Sequence, residues 1–386
     1  MNKNRLFLCS SLGVLLASAL PSQAADSVVD PGDPAWAHPP IVVRPAPDVA
    51  KVAPGFTPTQ MRSAYGISSI SNQGAGQTIA LIDAYDNPNA ESDLGVFTAQ
   101  FGLAACTTAN GCFKKIYASG TKPRTNAGWA GESSLDIEWS YAIAPKAKII
   151  LVEAASASNA ALFHAVDVAV SNGATVVSMS FGGSEFSTET SDDTHFNVTG
   201  VIFCASSGDS AHGAFYPAAS PFVVSVGGTT LTAPGGVWTS ETAWADSSGG
   251  ASAYETEPSY QASAQSTGKR GIPDVAWDAN PNTGVPVYSK TGFRGWAEVG
   301  GTSVSSPSWA GLFAIVNSSR IAASKAPLTQ PQFNLYPLAE GDYHDITSGS
   351  NGSCGAQCTA GPGYDFVTGI GSPKANLLVP ALVAAP

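Results

Sequence analysis

Apolar runs of strand length alternate with helical stretches between Gln77 and Ser206, and this alternation limits most strongly how the chain can fold. The predicted strands are short and rich in Val and Ile, and they lie at 78–82, 115–117, 148–153, 175–181 and 201–206. Helices are predicted between them, through Leu94 and Phe97, near 131–143 and at 159–172. Strands that alternate with helices in this way form a parallel sheet that is buried on both faces. The sequence therefore predicts an α/β fold with a mostly parallel central sheet, helices on both faces, and reactive groups at the carboxyl ends of strands.

The charge content is low and unbalanced. Only 12% of the residues are charged, with 18 basic against 29 acidic side chains and a formal net charge of −11. The chain has no basic run, so we expect no nucleic-acid partner. Because a chain with few bases avoids strong self-repulsion when its carboxylates are protonated, the composition also suggests tolerance of acid.

Residues 1–24 have the pattern of a signal peptide. Lys3 and Arg5 precede an apolar core through Leu20, and Ser22-Gln23-Ala24 resembles a small-residue cleavage site. We expect export to the extracellular space or the periplasm. A membrane anchor is disfavoured because the apolar run is short and no other stretch is long enough to span a bilayer. Residues 25–56 follow as a proline-rich, extended lead-in, and residues 57–386 as the main domain.

Five cysteines remain once the predicted signal peptide is removed. Cys106 with Cys112 and Cys354 with Cys358 are close pairs in predicted loops, which indicates two local disulfides in an exported protein. Cys204 lies in an apolar run and is predicted to be a buried free thiol. Neither pair has the spacing of a zinc site with neighbouring histidines, so we expect no metal bound by sulfur.

The stretch from Gly300 to Pro307 contains the candidate nucleophile, Ser303. Apolar residues recur at helical spacing after it, which predicts a buried helix that begins at the serine, with Pro307 in the first turn. Free backbone N–H groups and the positive end of the helix dipole would then stabilise an oxyanion, which suits acyl transfer. The motif alone fits an ordinary helix cap about as well, so the interpretation depends on a general base.

The usual base, histidine, has no suitable setting among the five in the chain. A subtilisin-type triad needs an aspartate followed by Ser/Thr-Gly and a His-Gly-Thr helix start. Here Asp83 is followed by Ala84-Tyr85, and His-Gly-Thr does not occur. His164 is interpreted as a partly buried helix residue without a catalytic role.

Two carboxylates provide an alternative base. Glu132 and Asp136 are four residues apart on the predicted helix and share one face with Trp139 and Ile143, whereas Glu138 points away. Two acids on a partly apolar face can share a proton, which raises one pKa and couples their titration. From the spacing alone, an ordinary surface pair fits equally well.

Several blocks of sequence together resemble the sedolisins, which are serine-carboxyl peptidases. The resemblance runs from Phe56 to the C-terminus, about 330 residues, and its blocks follow in order at 131–138 with 144–145, 178–182, 207–209, 227–229, 271–275, and 301–303 with Pro307. It implies a subtilisin-like α/β fold. It also implies Ser303 as nucleophile, Glu132 as general base, Asp136 as the acid that orients Glu132, and Asp209 as the oxyanion-hole partner.

The resemblance implies action at acidic pH. Below about pH 5 an imidazole is protonated, whereas a carboxylate with a pKa near 4 remains partly ionised and can accept a proton. Asp209 follows an apolar strand, where a poorly solvated carboxyl would stay protonated and donate a hydrogen bond to the oxyanion. Without the resemblance, Asp209 would be interpreted as a turn residue after Gly208.

The resemblance further implies one bound Ca²⁺ near the C-terminus. Its ligands would be the carboxylates of Asp345 and Asp365 and the carbonyl oxygens of Ile346, Gly361 and Gly363. These are hard oxygen ligands of the kind that calcium requires, although the residues by themselves would be interpreted as turns.

The expected protein is thus a secreted, monomeric serine-carboxyl peptidase that cleaves proteins or peptides, with endopeptidase activity expected over removal of N-terminal tripeptides. One departure concerns the N-terminus, because members of the family usually carry a long prodomain, and here about thirty residues separate the predicted signal from the catalytic domain. The alternatives are a neutral subtilisin-type protease and a non-catalytic exported binding protein on the same scaffold.

Overall fold

The central sheet is formed by eight strands: β2 (Thr78–Ala84), β3 (Phe113–Tyr117), β4 (Lys148–Ala154), β5 (Val176–Met179), β7 (Ile202–Ser206), β9 (Val223–Thr232), β10 (Ser240–Ala243) and β13 (Val275–Asp278). Their order is β10-β9-β7-β5-β2-β4-β3, and β13 also pairs with β9. All pairings in it are parallel except that of β10 with β9. The five predicted strands are all present, and the predicted α/β class is confirmed.

The computed structural model describes Met1 and residues 35–386 apart from positions 47, 49, 50, 53 and 339. The predicted signal peptide therefore lies outside the described residues. The helices are α1 (Pro58–Ala64), α2 (Ala90–Phe101), α3 (Ala127–Ile143), α4 (Asn159–Ser171), α5 (Thr302–Ala322), α6 (Gln332–Leu335) and α7 (Ala375–Ala384). The remaining strands form small sheets: β1 (Val42–Pro45), β6 (Gly183–Ser184), β8 (Phe215–Tyr216), β11 (Gly250–Thr256), β12 (Lys269–Ile272), β14 (Val285–Ser289), β15 (Gly295–Gly300), β16 (Tyr343–His344) and β17 (Ser372–Pro373).

The two faces of the central sheet are buried by different helices. Alternate residues of a strand point to opposite faces, so Ile79 and Leu81 of β2 join one apolar core, and Ala80 and Ile82 join the other. Side chains of α2, α3 and α5 complete the first core, and α4 completes the second. Burial on both faces explains why these strands are almost uniformly apolar.

Helix α5 begins one residue before Ser303, as the sequence predicts, but Pro307 does not lie in its first turn. Because the helix starts at Thr302, Pro307 is inside it. A proline has no N–H to donate to the carbonyl four residues earlier, which here belongs to Ser303. The Ser180 hydroxyl lies 3.4 Å from that carbonyl oxygen and can donate to it instead.

Both predicted disulfides are present, Cys106–Cys112 and Cys354–Cys358, and Cys204 is a buried free thiol. Within the described residues, no helix combines the length and the apolar character needed to cross a bilayer.

Candidate active site

Ser303 lies in the first turn of α5, two residues after Gly301, a position that only glycine can occupy. Gly301 has a φ of 102°, and a Cβ built on it would lie 2.2 Å from the carbonyl oxygen of Pro40 and 2.5 Å from Oδ2 of Asp209. Strand β15 and α5 can therefore join only through a residue without a side chain. The Ser303 side chain is completely buried, and its Oγ has no well-aligned hydrogen-bond partner among the residues described.

Asp209 caps the same helix from a distant part of the chain. Its Oδ1 accepts hydrogen bonds from the backbone N–H of Thr302 at 2.9 Å and from the Thr302 hydroxyl at 2.8 Å. Its Oδ2 is buried and has no partner within the described part of the chain. Burial raises the pKa of Asp209 to about 7, against the two bonds from Thr302, which lower it. A raised pKa favours the protonated carboxyl in acid, and Oδ2 is the oxygen that accepts no hydrogen bond from Thr302.

The structure brings Glu132 and Asp136 into the same buried region as Ser303. Both carboxyls are completely buried on α3, and burial raises both pKa values well above their ordinary range. The charge of Glu132 raises the pKa of Asp136 further, and an interaction with the Ser303 side chain acts in the opposite direction on the pKa of Glu132. One oxygen of Asp136 accepts a hydrogen bond from the Ser180 hydroxyl at 2.7 Å. The surface-pair alternative is thereby excluded, because neither carboxyl reaches solvent.

Two residues of this site were not predicted as members of it. Asp83 is the second-last residue of β2, is 1% exposed, and has both carboxyl oxygens without a donor among the described residues. Its charge raises the pKa of Glu132, and its own pKa is raised well above normal by burial and then by Asp136 and Glu153. Ser180 follows the neighbouring strand β5. The signal that could have identified Asp83 is an acid in a strand whose other residues are apolar on both faces.

The histidines have other surroundings. His164 is exposed on α4, more so than predicted, and its Nε2 lies 3.2 Å from the carbonyl oxygen of Ala118. His195 pairs with Asp167 at 2.9 Å, and His344 stacks on the ring of Trp238 at 3.9 Å. The side chain that interacts with the Ser303 hydroxyl is that of Glu132.

The described part of the proline-rich lead-in runs across the site in an extended conformation. Upstream, the N–H of His38 donates to the carbonyl oxygen of Gly182 at 2.9 Å, and the N–H of Gly182 donates to the carbonyl oxygen of His38 at 3.1 Å. Downstream, β1 pairs antiparallel with β15, with Val42 opposite Gly300. Between these anchors, the backbone N–H of Ser303 donates to the carbonyl oxygen of Pro40 at 3.2 Å. A cavity of about 340 Å³ remains beside the segment, lined in part by Asp209 and Phe215.

The predicted calcium ligands also lie together. The N–H of Gly363 donates to Oδ2 of Asp345 at 3.2 Å, and the N–H of Gly361 donates to Oδ2 of Asp365 at 3.0 Å. Oδ1 of Asp345 is buried without a partner among the described residues. In the same part of the structure, none of the carbonyl oxygens of Ile346, Gly361 and Gly363 accepts a hydrogen bond. Such a set of unused hard oxygen atoms fits a calcium ion.

Another potential metal-binding group does not fit a metal. His212 lies beside Cys354 and Cys358, with ligand atoms within 4.8 Å of one another. The two cysteines are joined in a disulfide, so their sulfur atoms are not free thiolates.

Comparison with known proteins gives consistent relationships. Residues 124–330 match the family described as Subtilase family. The chain is 29% identical to Sedolisin from Pseudomonas sp. (strain 101), over 84% of this chain and 60% of that protein. It is 32% identical to Kumamolisin from Bacillus sp. (strain MN-32), over 85% of this chain and 64% of that protein. Tripeptidyl-peptidase 1 of Homo sapiens is 30% identical over 48% of this chain and 38% of its own length.

A solved structure supports the same relationship. It is described as Pseudomonas sedolisin, a serine-carboxyl proteinase, in complex with two molecules of pseudo-iodotyrostatin. The TM-score is 0.75 at 28% sequence identity, with 84% of this chain and 97% of that chain covered. The chain spans about half to two thirds of the length of the first curated relatives that it matches.

Proposed function

The chain belongs to the subtilase family and is a peptidase of the sedolisin type, and from this we propose that it hydrolyses internal peptide bonds of proteins at acidic pH. In this proposal Ser303 is the nucleophile, Glu132 the general base, Asp136 the residue that orients Glu132, and Asp209 a donor to the oxyanion. The single observation that supports it best is the burial of Glu132, Asp136 and Ser303 around one point at the N-terminus of α5.

The base in this mechanism is a pair of carboxyls that shares a proton. Burial and mutual repulsion prevent Glu132 and Asp136 from both being ionised, so one proton remains on the pair over a wide pH range. With that proton on Asp136, Glu132 can accept the proton of the Ser303 hydroxyl during attack and return it to the leaving amine. The hydrogen bond from Ser180 holds the Asp136 side chain in position.

The oxyanion is stabilised by two donors in this mechanism. One is the backbone N–H of Ser303, which already donates to a carbonyl oxygen, that of Pro40. The other is the protonated Oδ2 of Asp209. This oxygen and the carbonyl oxygen of Pro40 both lie close to the position that a Cβ of Gly301 would occupy. A donor of this kind is present in acid and is lost when the carboxyl ionises, which supports an acidic working range.

The length of the cleft supports an endopeptidase over an enzyme that removes tripeptides. We take the lead-in to follow the path of a substrate, with Pro40 in the place of the residue before the cleaved bond. His38 is then the third residue before that bond, and the contacts of the lead-in with the rest of the protein continue beyond it. The N–H of Ala37 donates to the carbonyl oxygen of Ala157 at 2.9 Å, and Trp36 bridges to Ser158. A tripeptidyl-peptidase needs the cleft to end after three residues, where it binds the free amino terminus.

We also propose that Asp345, Ile346, Gly361, Gly363 and Asp365 hold one Ca²⁺. The ion would supply no chemistry to the reaction, because it would join two loops and stabilise the native state. The two disulfides agree with the expected export, since disulfides persist in oxidising compartments.

The test is a set of peptides with free or acetylated N-termini, incubated at pH 3 to 7 with the wild-type protein and with the Ser303→Ala and Glu132→Gln variants. Internal cleavage of acetylated peptides at acidic pH is expected for the wild type, and loss of turnover for both variants, because the two residues act as one unit. His164→Ala is the matched control and should keep its activity. Near-normal turnover by Glu132→Gln would exclude the carboxylate base, and cleavage restricted to free N-termini would exclude an endopeptidase.

A further inference from the structure

The loop that carries Asp209 is more exposed than the rest of the candidate site. Ser210 and His212 in this loop are exposed, whereas the side chain of Ser303 is completely buried. A partly exposed loop has few packing contacts to fix its conformation, so its order depends on its hydrogen bonds. The position of Asp209 therefore depends on the groups that bind the backbone on either side of it.

Ser248 binds the residues on both sides of Asp209. The backbone N–H of Ser210 donates to the Oγ of Ser248 at 2.9 Å, and the backbone N–H of Ser248 donates to the carbonyl oxygen of Gly208 at 2.8 Å. Ser248 is completely buried, and a Cβ built on Gly208 would lie 2.9 Å from its Oγ. One buried residue thus fixes the backbone directly before and directly after Asp209.

The segment that contains Ser248 is itself held from its other side. A Cβ built on Gly249 would collide with the carbonyl oxygen of Phe366. The side-chain amide of Asn351 donates to the carbonyl oxygen of Ser247 at 2.9 Å. Because the backbone is confined at both neighbours of Ser248, this residue is a rigid support for the more mobile Asp209 loop.

Ser248 acts on the Asp209 carboxyl only through the backbone. Both hydrogen bonds to Oδ1 of Asp209 come from Thr302, and Oδ2 has no partner among the described residues. The cavity beside the site is lined by Gly208, Asp209 and Ser210, and Ser248 is not one of the described residues that line it. A substrate in this cavity would therefore contact Asp209 and not Ser248.

We propose that Ser248 is a positioning residue for the reaction, which holds Asp209 where its Oδ2 can donate to the oxyanion. This inference rests on the proposed function, since it requires Asp209 to be an oxyanion donor, and it adds the residue that places this donor. Such a donor must lie within about 2.7–3.1 Å of the oxyanion, and a displacement of about 1 Å can lower the rate about 100-fold. Loss of the bond between Ser210 and Ser248 would permit a displacement of this size.

Ser247 supplies a matched control. Both serines are completely buried, and the hydroxyl oxygen of each accepts one backbone N–H, from Ser210 at 2.9 Å for Ser248 and from Gly228 at 2.8 Å for Ser247. Gly228 lies in strand β9 and not in the Asp209 loop. The two Ala variants thus remove the same kind of bond from adjacent positions, and each leaves a backbone donor without its partner, which costs stability. Only the Ser248 variant should also impair catalysis.

The experiment measures kcat and KM at pH 4 on an acetylated peptide, with the Tm of each variant. Ser248→Ala should lower kcat about 10- to 100-fold and leave KM within about twofold, because an oxyanion donor acts on the transition state and not on the bound substrate. Ser247→Ala should keep kcat within about twofold of wild type despite a similar fall in Tm. Ser248→Cys keeps a side chain of similar shape with a weaker acceptor, so its kcat should lie between those of wild type and Ser248→Ala. If Ser248→Ala does not fold, the Cys variant provides the comparison with Ser247→Ala.

A double-mutant cycle with Asp209→Ala tests whether the effect passes through Asp209. Once the donor has been removed, its position no longer matters, so adding Ser248→Ala to Asp209→Ala should lower kcat by less than about twofold more. A variant that only weakened the fold would lower kcat by the same factor in both backgrounds.

The outcomes separate this inference from the proposed function. Equal losses of kcat in the Ser248→Ala and Ser247→Ala variants, or a Ser248→Cys variant as active as wild type, would overturn the positioning role of Ser248. Additive losses in the cycle would overturn the route through Asp209. In each of these cases a large loss in Asp209→Ala alone would leave the proposed function intact. Near-normal turnover by Asp209→Ala would overturn its role as oxyanion donor, and this inference with it.

Discussion

Replacement of Asp209 tests the proposed oxyanion site most directly, because the burial that raises the pKa of this carboxyl predicts the pH range in which its proton is lost. Thr302 occupies one oxygen with two hydrogen bonds, and burial raises the pKa to about 7, so the other oxygen is protonated in acid. Asp209→Ala removes the donor and should lower kcat/KM on the order of 10²–10³-fold, or about 3–4 kcal/mol. Asp209→Asn keeps an N–H donor and should lose far less at the optimum.

The pH profile distinguishes a donor from a carboxylate. Above pH 7 only the protonated fraction of Asp209 is active, so wild-type kcat/KM should fall about tenfold per pH unit. Asn cannot ionise, so its alkaline limb should move upward, and if it loses about tenfold at the optimum, it should match wild type near pH 8. The assay is kcat/KM against pH, with initial rates measured before the protein unfolds at any of the pH values used.

Thr302 supplies a matched control for the same reasoning. Its hydroxyl donates to Asp209 and lowers the pKa of that carboxyl. Thr302→Val removes this bond and should move the alkaline limb upward, whereas Thr302→Ser keeps the bond and should not. An Asn variant of Asp209 as inactive as the Ala variant, or an alkaline limb that stays near pH 7 in both Asn and Val variants, would refute the neutral-donor role.

Two further predictions concern stability. Chelation, or Asp345→Ala, should remove the proposed calcium and lower the Tm by about 4 °C, since an ion at 100 times its Kd adds about 2.7 kcal/mol and the unfolding entropy of a domain of this length is about 0.7 kcal/mol per kelvin. Calorimetry with metal analysis checks this, and active protein free of calcium would contradict it. The free energy of unfolding should fall as pH rises from 5 to 9, because burial raises the pKa of Glu189 to about 9 and that of Glu255 to about 7. Above about pH 4.5 the unfolded chain has released protons that the native state still holds. Each unit by which the native-state pKa is raised therefore lowers the free energy of unfolding by about 1.4 kcal/mol once the pH exceeds that pKa. Urea unfolding at several pH values measures the slope, which Glu189→Gln should reduce; an unchanged slope would contradict the assignment.

Much of the fold follows from local sequence. The runs of β2 and β4 are apolar at every buried position because both faces of their sheet are covered, and this pattern is visible without any structure. The disulfides were predictable because their cysteines are separated by six and four residues. Ser303 at a helix start was predictable from the glycines before it and the apolar spacing after it.

Local pattern was less informative for the acids. Glu132 and Asp136 share a helix face, but their spacing fits a surface pair as well as a buried one. Helix α3 is enclosed on all sides by the sheet, α2 and α5, so nearly all of its side chains are buried and no polar face marks the solvent side. Asp83 was set aside because its flanking residues differ from those of a subtilisin triad, although its burial in β2 brings it to the same acids.

The sequence by itself determined the class of fold, the strands and helices of its central sheet, and the candidate nucleophile, because these depend on residues a few positions apart. Only the tertiary structure decided that Asp209 caps the helix of Ser303, since Thr302 lies 93 residues away along the chain. Only the tertiary structure also placed Pro40 against Ser303, through strand pairing between residues more than 250 positions apart. Contacts of this range leave no periodic signal in a single sequence, because they depend on which surfaces the packed sheet brings together.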